Sequence, residues 1–274
     1  MPTIKEILTP PGYIERSCEE MVRDENVKAA AREDRNCLSW WFPKIEAAGL
    51  PVPKTILLAM PEAAQVDVWG MIDREPDQKP EAWLAFVEEA KMAAAEIGYP
   101  LFLRTGHTSG KHEWDRTCFV PSADKLGEHI FSIIYFSECC GMFGELPWRT
   151  WAFRELLPTV PITHCPGYTN MPVCKEFRFF AEDGKVLCWH PYWPRFSLER
   201  GGAQISDEQF EALSTPDDLP RLMAIAETAS RVCGAAWSVD LLQTERGWFL
   251  TDMAEARTSY HWEDCPNILA AKAA

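Results

Sequence analysis

Long apolar runs are missing from this 274-residue chain. No stretch approaches the ~20 residues that a bilayer-spanning helix needs, so a membrane protein is not expected. The N-terminal MPTIKEILTPPGYIERSCEE carries acids early and no continuous apolar core. A secretory signal is therefore not expected, and the expected location is cytoplasmic. Metal-type cysteine spacing is missing as well. The 10 cysteines include no C-x-x-C pair; Cys139 and Cys140 are adjacent, and His164-Cys165 and Cys188-Trp189-His190 stand isolated. A zinc site would have to be assembled from distant segments and is not expected, and the thiols are expected to be reduced. Positive charge is scarce: 27 Lys and Arg face 41 Asp and Glu, a formal net charge of −14. That balance argues against a nucleic-acid-coating role, and it would oppose a polyphosphate unless a locally basic pocket receives it. Internal repeats, low-complexity segments and long linkers are also absent.

What is present is a globular composition, 47% hydrophobic, with helix and strand patterns interleaved. Residues 14–36 place apolar or small residues at Ile14, Cys18, Met21, Val22 and Ala29–Ala31 among charges, which predicts one or two amphipathic helices. In CLSWWFPKIEAAGLPVPKTILL an aromatic helix ends at Gly49 and a strand follows over Lys54–Ala59. Residues 61–78 read as acidic and irregular, and residues 80–97 as the clearest helix, closed by Gly98. A Ser-capped helix follows in PSADKLGEHIFSIIYFSECC, then a strand in RTWAFRELLP. Residues 173–193 read as a hairpin around Asp183-Gly184. Two helices, SDEQFEAL and LPRLMAIAETASRVCG, precede a final hairpin, AAWSVDLLQT and WFLTDMAEA. The mixture is α+β, with two or more lobes.

Four segments carry candidate chemistry. In YPLFLRTGHTSGKHEW an apolar strand delivers Arg104 to a loop rich in Gly, Ser and Thr that contains Lys111. Such a loop offers backbone N–H groups to phosphate oxygens, and the two cations would add charge; an ordinary hairpin loop with surface cations would look the same. In Arg154-Glu155-Leu156-Leu157-Pro158 a strand ends on a carboxylate and apolar residues, either a plain strand end or a hinge that lines an adenine pocket through Glu155 and Leu157. In Lys175-Glu176-Phe177-Arg178, period-two alternation puts Glu176 and Arg178 on one face, which suits a phosphate-facing Arg178 or an exposed sheet face. Finally, Asp240 and Asp252 lie on the two apolar strands of the last hairpin. Two carboxylates side by side in apolar surroundings repel, and Mg²⁺ would remove that cost, with Glu255 as a further oxygen ligand.

These elements, in this order, resemble the ATP-grasp superfamily from about Leu50 to the C-terminus. GLPVPKT looks like the usual approach to the fold, YPLFLRTGHTSGKHEW like the strand and flexible loop over the phosphates, and RELLP like the hinge. SVDLL with GWFLTDMAEA looks like the metal-binding strands. KEFRFFAEDGKV is similar to the branch containing a eukaryotic cell-division-cycle protein that assists assembly of translation initiation factor 2, with bacterial and phage relatives. The chain departs from the usual pattern in two places. Arg104 stands where most members have lysine, and Asp252-Met253-Ala254 lacks the asparagine of acid-x-Asn, a gap that Glu255 would have to fill.

The resemblance implies an N-terminal helical segment over residues 1–49, a first ATP-grasp lobe over 50–157 and a second over 158–274. It implies ATP between the lobes, with Arg104, Lys111, Lys175 and Arg178 at the phosphates, Glu155 and Leu157 at the nucleoside, and Asp240, Asp252 and Glu255 holding Mg²⁺. The implied activity is carboxylate–amine ligation through an acyl phosphate, on small-molecule or peptide substrates. Arg178 would act catalytically, and Arg257 would clamp the acceptor carboxylate. His190 would line the cleft, whereas Trp193 is expected in the core. The alternative is an ATP-binding assembly factor that docks on a protein partner without ligation. The 12 tryptophans suit either a large aromatic core or a binding groove.

Overall fold

The computed structural model describes residues 17–31, 33–73, 80–141, 146–263, 265 and 267. Ile14 of the expected N-terminal helix and residues 74–78 of the acidic stretch lie outside the described residues. In chain order the elements are α1 (Cys18–Ala30), α2 (Leu38–Ala47), β1 (Thr55–Ala59), α3 (Glu62–Asp73), α4 (Glu81–Ile97), β2 (Leu101–Thr105) and β3 (Phe119–Val120). They continue with α5 (Leu126–Gly141), β4 (Thr150–Glu155), β5 (Thr163–Cys165), β6 (Met171–Val173), β7 (Glu176–Glu182) and β8 (Lys185–Pro191). Last come α6 (Arg195–Arg200), α7 (Asp207–Ser214), α8 (Leu219–Cys233), β9 (Ala236–Thr244) and β10 (Gly247–Glu255).

Packing separates two units. One comprises the described residues of Met1–Glu33 and Pro61–Phe86, the other those of Asp34–Met60 and Val87–Ala274. In the first unit α1 begins with a capping box, in which Ser17 and Glu20 each satisfy the other's backbone N–H. It packs against α3, and Asn26 Nδ2 donates to Glu62 Oε2 at 3.3 Å. The helix α3 replaces the irregular segment expected there. Ala64 and Val68, one helical turn apart, are fully buried, and that stripe outweighs the acids around it.

In the second unit, one antiparallel sheet has the order β1-β4-β2-β3 and the other β10-β9-β7-β8, with β5 and β6 as a separate pair. The Asp183-Gly184 turn takes positive φ at both residues, 47° and 85°, as a tight two-residue hairpin requires. The core lies between the second sheet and the helices α2 and α8. Phe177 and Phe179, Val239 and Leu241, and Trp248 and Leu250 face Trp41, Phe42 and Ile45 of α2 and Leu222 and Ala226 of α8. The aromatic helix α2, expected in a separate N-terminal segment, is thus built into this core, because its Trp, Phe and Ile positions need an apolar sheet face.

The core residues also show how the strands are phased. Odd positions of β7 and β9 point to the core, so Glu176, Arg178 and Asp240 point away from it. In β10, Trp248 and Leu250 face the core, but a bulge follows: Leu250 pairs with Leu241 and Asp252 with Asp240, leaving Thr251 as the extra residue. Met253 then returns to the core face.

Candidate functional site

A cavity of about 600 Å³ opens between the two large sheets of the second unit. Its walls come from the loop after β2, the end of β4 and its following segment, β6, and the outward face of β7, β9 and β10. The volume lies within the ~300–1,000 Å³ typical of small-molecule sites.

The second sheet presents three charges in neighbouring strands, because Arg178 pairs in register with Asp240, and Asp240 with Asp252. Asp240 is 3% exposed and accepts a two-pronged bond from Arg178, Nε to Oδ1 and Nη2 to Oδ2, each 2.8 Å. Burial alone would push the Arg178 guanidinium down, but Asp240 outweighs it and the net shift is upward. Asp252 is contacted from the other sheet: Arg104 Nη1 lies 2.8 Å from its Oδ1. Arg104 itself is 4% exposed and donates through Nε to the Thr105 carbonyl at 3.0 Å. The cation of the first sheet and the acids of the last hairpin therefore meet in one cavity wall.

The glycine-bearing loop has its own scaffold. Thr105 Oγ1 accepts from the backbone N–H groups of His107 and Thr108 at 3.1 and 2.9 Å, and His107 Nε2 lies 2.8 Å from Asp34 Oδ2. Gly110, at φ 60°, turns the chain so that Lys111 reaches inward. Lys111 Nζ sits 3.7 Å from Glu176 Oε2, over the rings of Tyr192 and Trp193. Burial opposes its charge, but Glu176, Tyr192 and Asp240 outweigh burial and raise its pKa. Glu176 is pushed up to about 7 by burial, against the pull of Lys111 and with the help of Asp240.

Arg154 also lines this cavity, and sequence reasoning passed over it as part of the hinge. It is 3% exposed; Nη1 donates to the Thr251 carbonyl in the bulge at 2.6 Å and Nε to Thr55 Oγ1 at 3.1 Å. Its Nη2 is buried without a hydrogen-bond partner. Burial first, and then Arg104, push its pKa down to about 9. A charged residue inside the apolar strand TWAFRE was the available signal, since a buried cation needs a reason.

The remaining sequence candidates divide. Leu157 and Glu155 line the cavity, although both Glu155 oxygens are taken, by Lys54 N at 2.9 Å and Arg246 Nη2 at 2.8 Å. Trp193 lines the cavity rather than the core alone, whereas His190 does not line it. Arg178 stands one side chain back, holding Asp240. Three expectations fail. Lys175 is bound to Asp217 at 2.7 Å, away from the cavity wall, since alternation puts it on the opposite face from Glu176. Glu255 is three residues beyond Asp252, so the strand turns it to the other face, where it meets Arg257 at 2.9 Å and Arg35 at 3.9 Å. The Arg257 side chain is 82% exposed and engaged in that same pair.

The residues fit a metal–polyphosphate group. Asp240 and Asp252 are neighbouring hard oxygen donors, Arg104 and Lys111 carry positive charge, and Arg154 Nη2 is a buried donor awaiting an acceptor. An orphaned donor of this kind costs ~1–3 kcal/mol, which an anionic oxygen would recover.

A protein-family profile described as the ATP-grasp domain, R-2-K clade, family 3, matches residues 94–261. A search of curated proteins gave no match. Among solved structures, the chain is similar to C-terminally truncated Cdc123 from Schizosaccharomyces pombe, with TM-score 0.48, 13% identity, and 92% of this chain and 93% of that one covered. It is similar to a RimK domain ATP-grasp protein from Sphaerobacter thermophilus, with TM-score 0.42 and 16% identity over 81% of this chain and 60% of that one. It is also similar to D-alanine–D-alanine ligase from Bacillus anthracis complexed with ATP, with TM-score 0.42 and 9% identity over 80% of this chain and 52% of that one. The chain thus spans little more than half the length of the last two. The family match covers more than half of the 274 residues, and the chain belongs to family 3 of the R-2-K clade of ATP-grasp domains.

Proposed function

We propose that this protein binds ATP with Mg²⁺ in the cavity and uses it to join a carboxylate to an amine. The observation that carries the reading is the meeting of Arg104 with Asp252, beside Asp240, in a cavity that also holds Lys111 and the unpartnered Nη2 of Arg154. A chain of net charge −14 has here gathered cations around two acids, which is what a metal-bound polyphosphate requires.

In this reading residues 50–157 and 158–274 act as two lobes. Leu157 and the chain around Glu155 seat the nucleoside, while Arg104, Lys111 and Arg154 take the phosphates. Asp240 and Asp252 would hold Mg²⁺, which supplies charge neutralisation between the phosphates. Arg178 orients Asp240 through its two-pronged bond. The acceptor carboxylate attacks the γ-phosphorus, the bond to the β-phosphate oxygen breaks, and ADP leaves. The amine then attacks the acyl phosphate carbonyl and inorganic phosphate departs. The protein's part is position and electrostatics, which is where catalysis of phosphoryl transfer resides.

One observation favours a second reading. Both acids are already paired to arginines, and Ala254 stands where the acid-x-Asn pattern has its ligand. A site with few free ligand positions suits an ATP-binding assembly factor that docks on a protein and performs no ligation.

Calorimetric titration with a non-hydrolysable ATP analogue, with and without Mg²⁺, tests the shared part. Binding that is indifferent to Mg²⁺ and to Asp252→Asn refutes the site. ADP release stimulated by a pool of amino acids or peptides supports ligation; ATP binding without such stimulation supports the second reading.

A further inference from the structure

Away from the nucleotide cavity, β8 and the chain after β10 bring together three side chains from distant parts of the sequence: Cys188, His261 and Cys265. One ligand atom from each lies within 4.8 Å of the other two. Cys188 Sγ and His261 Nε2 are 3.1 Å apart, and Cys265 Sγ is 3.4 Å from the Trp189 carbonyl. Both cysteines are buried and His261 is half-buried. We infer that Cys188, His261 and Cys265 form a binding site for a borderline-soft divalent ion of the zinc class.

The donor chemistry argues for this class. Two thiolates and one neutral imidazole are soft-to-borderline ligands, suited to Zn²⁺ and unsuited to Mg²⁺. Two thiolates also neutralise the ion, so the complex can sit in an apolar setting without a buried net charge. That setting exists: Phe180 packs edge-on against His261 at 4.6 Å, and Trp262 stacks on His190 at 5.0 Å.

A second, independent observation lies beside it. His190, on the same face of β8 as Cys188, is 1% exposed, and its Nε2 is buried without a partner. Its Nδ1 lies 2.8 Å from the Pro191 carbonyl and can donate only as N–H, which leaves Nε2 with a bare lone pair. The His190 and His261 rings are 5.5 Å apart and meet edge to face, so His190 stands as a neighbour of the three ligands. The fourth position is open to water, since among the described residues the ligand atoms that lie within 4.8 Å of one another are those of Cys188, His261 and Cys265 alone. On uptake the two thiols release their protons to solvent, so binding strengthens as pH rises.

The site would fasten the chain that follows β10 onto β8. That chain carries the Tyr260 carbonyl, which accepts from Arg178 Nη1 at 3.3 Å, so the ion would steady the arginine that holds Asp240.

The test is titration of the reduced, oxygen-free full chain with Co²⁺ and then Zn²⁺. The expected result is one Co²⁺ per chain, with the visible bands of a tetrahedral ion and near-ultraviolet thiolate charge transfer, both erased by one equivalent of Zn²⁺. Cys188→Ser, Cys265→Ser and His261→Ala should each weaken binding by more than ~100-fold, beyond the 10–100-fold typical of losing an outer partner. Cys139→Ser should leave it unchanged. Absence of the charge-transfer band, or its survival in His261→Ala and Cys265→Ser, overturns the site. Circular dichroism identifies any variant that fails to fold, and His261→Ala, outside the sheet, keeps the test decisive if Cys188→Ser does. None of these readouts uses ATP, so failure here and failure of the nucleotide site are separable.

Discussion

Replacing Asp240 with asparagine separates the charge of the site from its shape. The amide has the size of the carboxylate, so the cavity should persist. What disappears is the partner of Arg178, whose Nε and Nη2 donate to the two Asp240 oxygens at 2.8 Å. The Asp240 side chain is 4% exposed and that of Arg178 15%, so little water can take over. Removing one member of a buried ion pair costs ~3–5 kcal/mol, because the other is left charged and unpaired. Arg178 keeps the Tyr260 carbonyl and the Tyr192 ring, 4.8 Å from its Cζ, which favours the lower end of that range. At ~2–4 °C per kcal/mol for a chain of this size, Asp240→Asn should lower Tm by about 6–12 °C. The assay is thermal and denaturant unfolding of the wild type, Asp240→Asn, Arg178→Met and the double variant. Arg178→Met alone should also destabilise, by leaving Asp240 charged and unpaired. The double variant should recover much of both losses, with a coupling of at least ~2 kcal/mol, since residues in one network couple by ~0.5–3 kcal/mol. A coupling below about 0.5 kcal/mol would mean that the pair holds nothing together and would refute the electrostatic account of this wall.

Three further outcomes are expected. Arg154→Met should weaken ATP binding by roughly 10–100-fold, the ~1.5–3 kcal/mol of a charged hydrogen bond, and leave adenosine binding unchanged; equal loss for both ligands would remove Arg154 from the phosphate site. Glu176 has a folded pKa raised from 4.5 to about 7, so its contribution is complete below pH 4.5 and is lost as pH rises to about 7. Melts of wild type and Glu176→Gln should therefore diverge across that window, with the wild type losing ground, and run parallel above it; parallel curves throughout contradict the shift. Gly106→Ala would drive a methyl group into Cys37 Sγ, so it should cost ~1–3 kcal/mol of stability, as overpacking does, while Gly106→Ala combined with Cys37→Ala restores most of it.

Much of this arrangement was legible in the residues. Strong periodicity and turn chemistry located α4, α8 and both late hairpins, and the apolar flanks of Asp240 and Asp252 marked them as unusual acids. The helix α3 was hidden because its acids drew attention from the Ala64 and Val68 stripe. The resemblance assigns Lys175, Glu255 and Arg257 to the site, yet the pleat of a strand sends Lys175 and Glu255 to the face opposite Glu176 and Asp252, and Arg257 lies in the turn after β10 with an exposed side chain. Arg154 and the Cys188–His261–Cys265 group depend on contacts between segments far apart in the chain, and no local pattern encodes those.

The extra residue in β10 has a consequence for how this chain is compared with others. Were Thr251 held in regular alternation instead of a bulge, Asp252 would be carried inward on the side of Trp248 and Leu250, a carboxylate lodged in the core. Any superposition of related chains that matches this hairpin by hydrophobic rhythm, without admitting a gap at that point, would assign the acid to the wrong side by a single step. The bulge is what lets one strand face the interior at Trp248, Leu250 and Met253 and the cavity at Asp252.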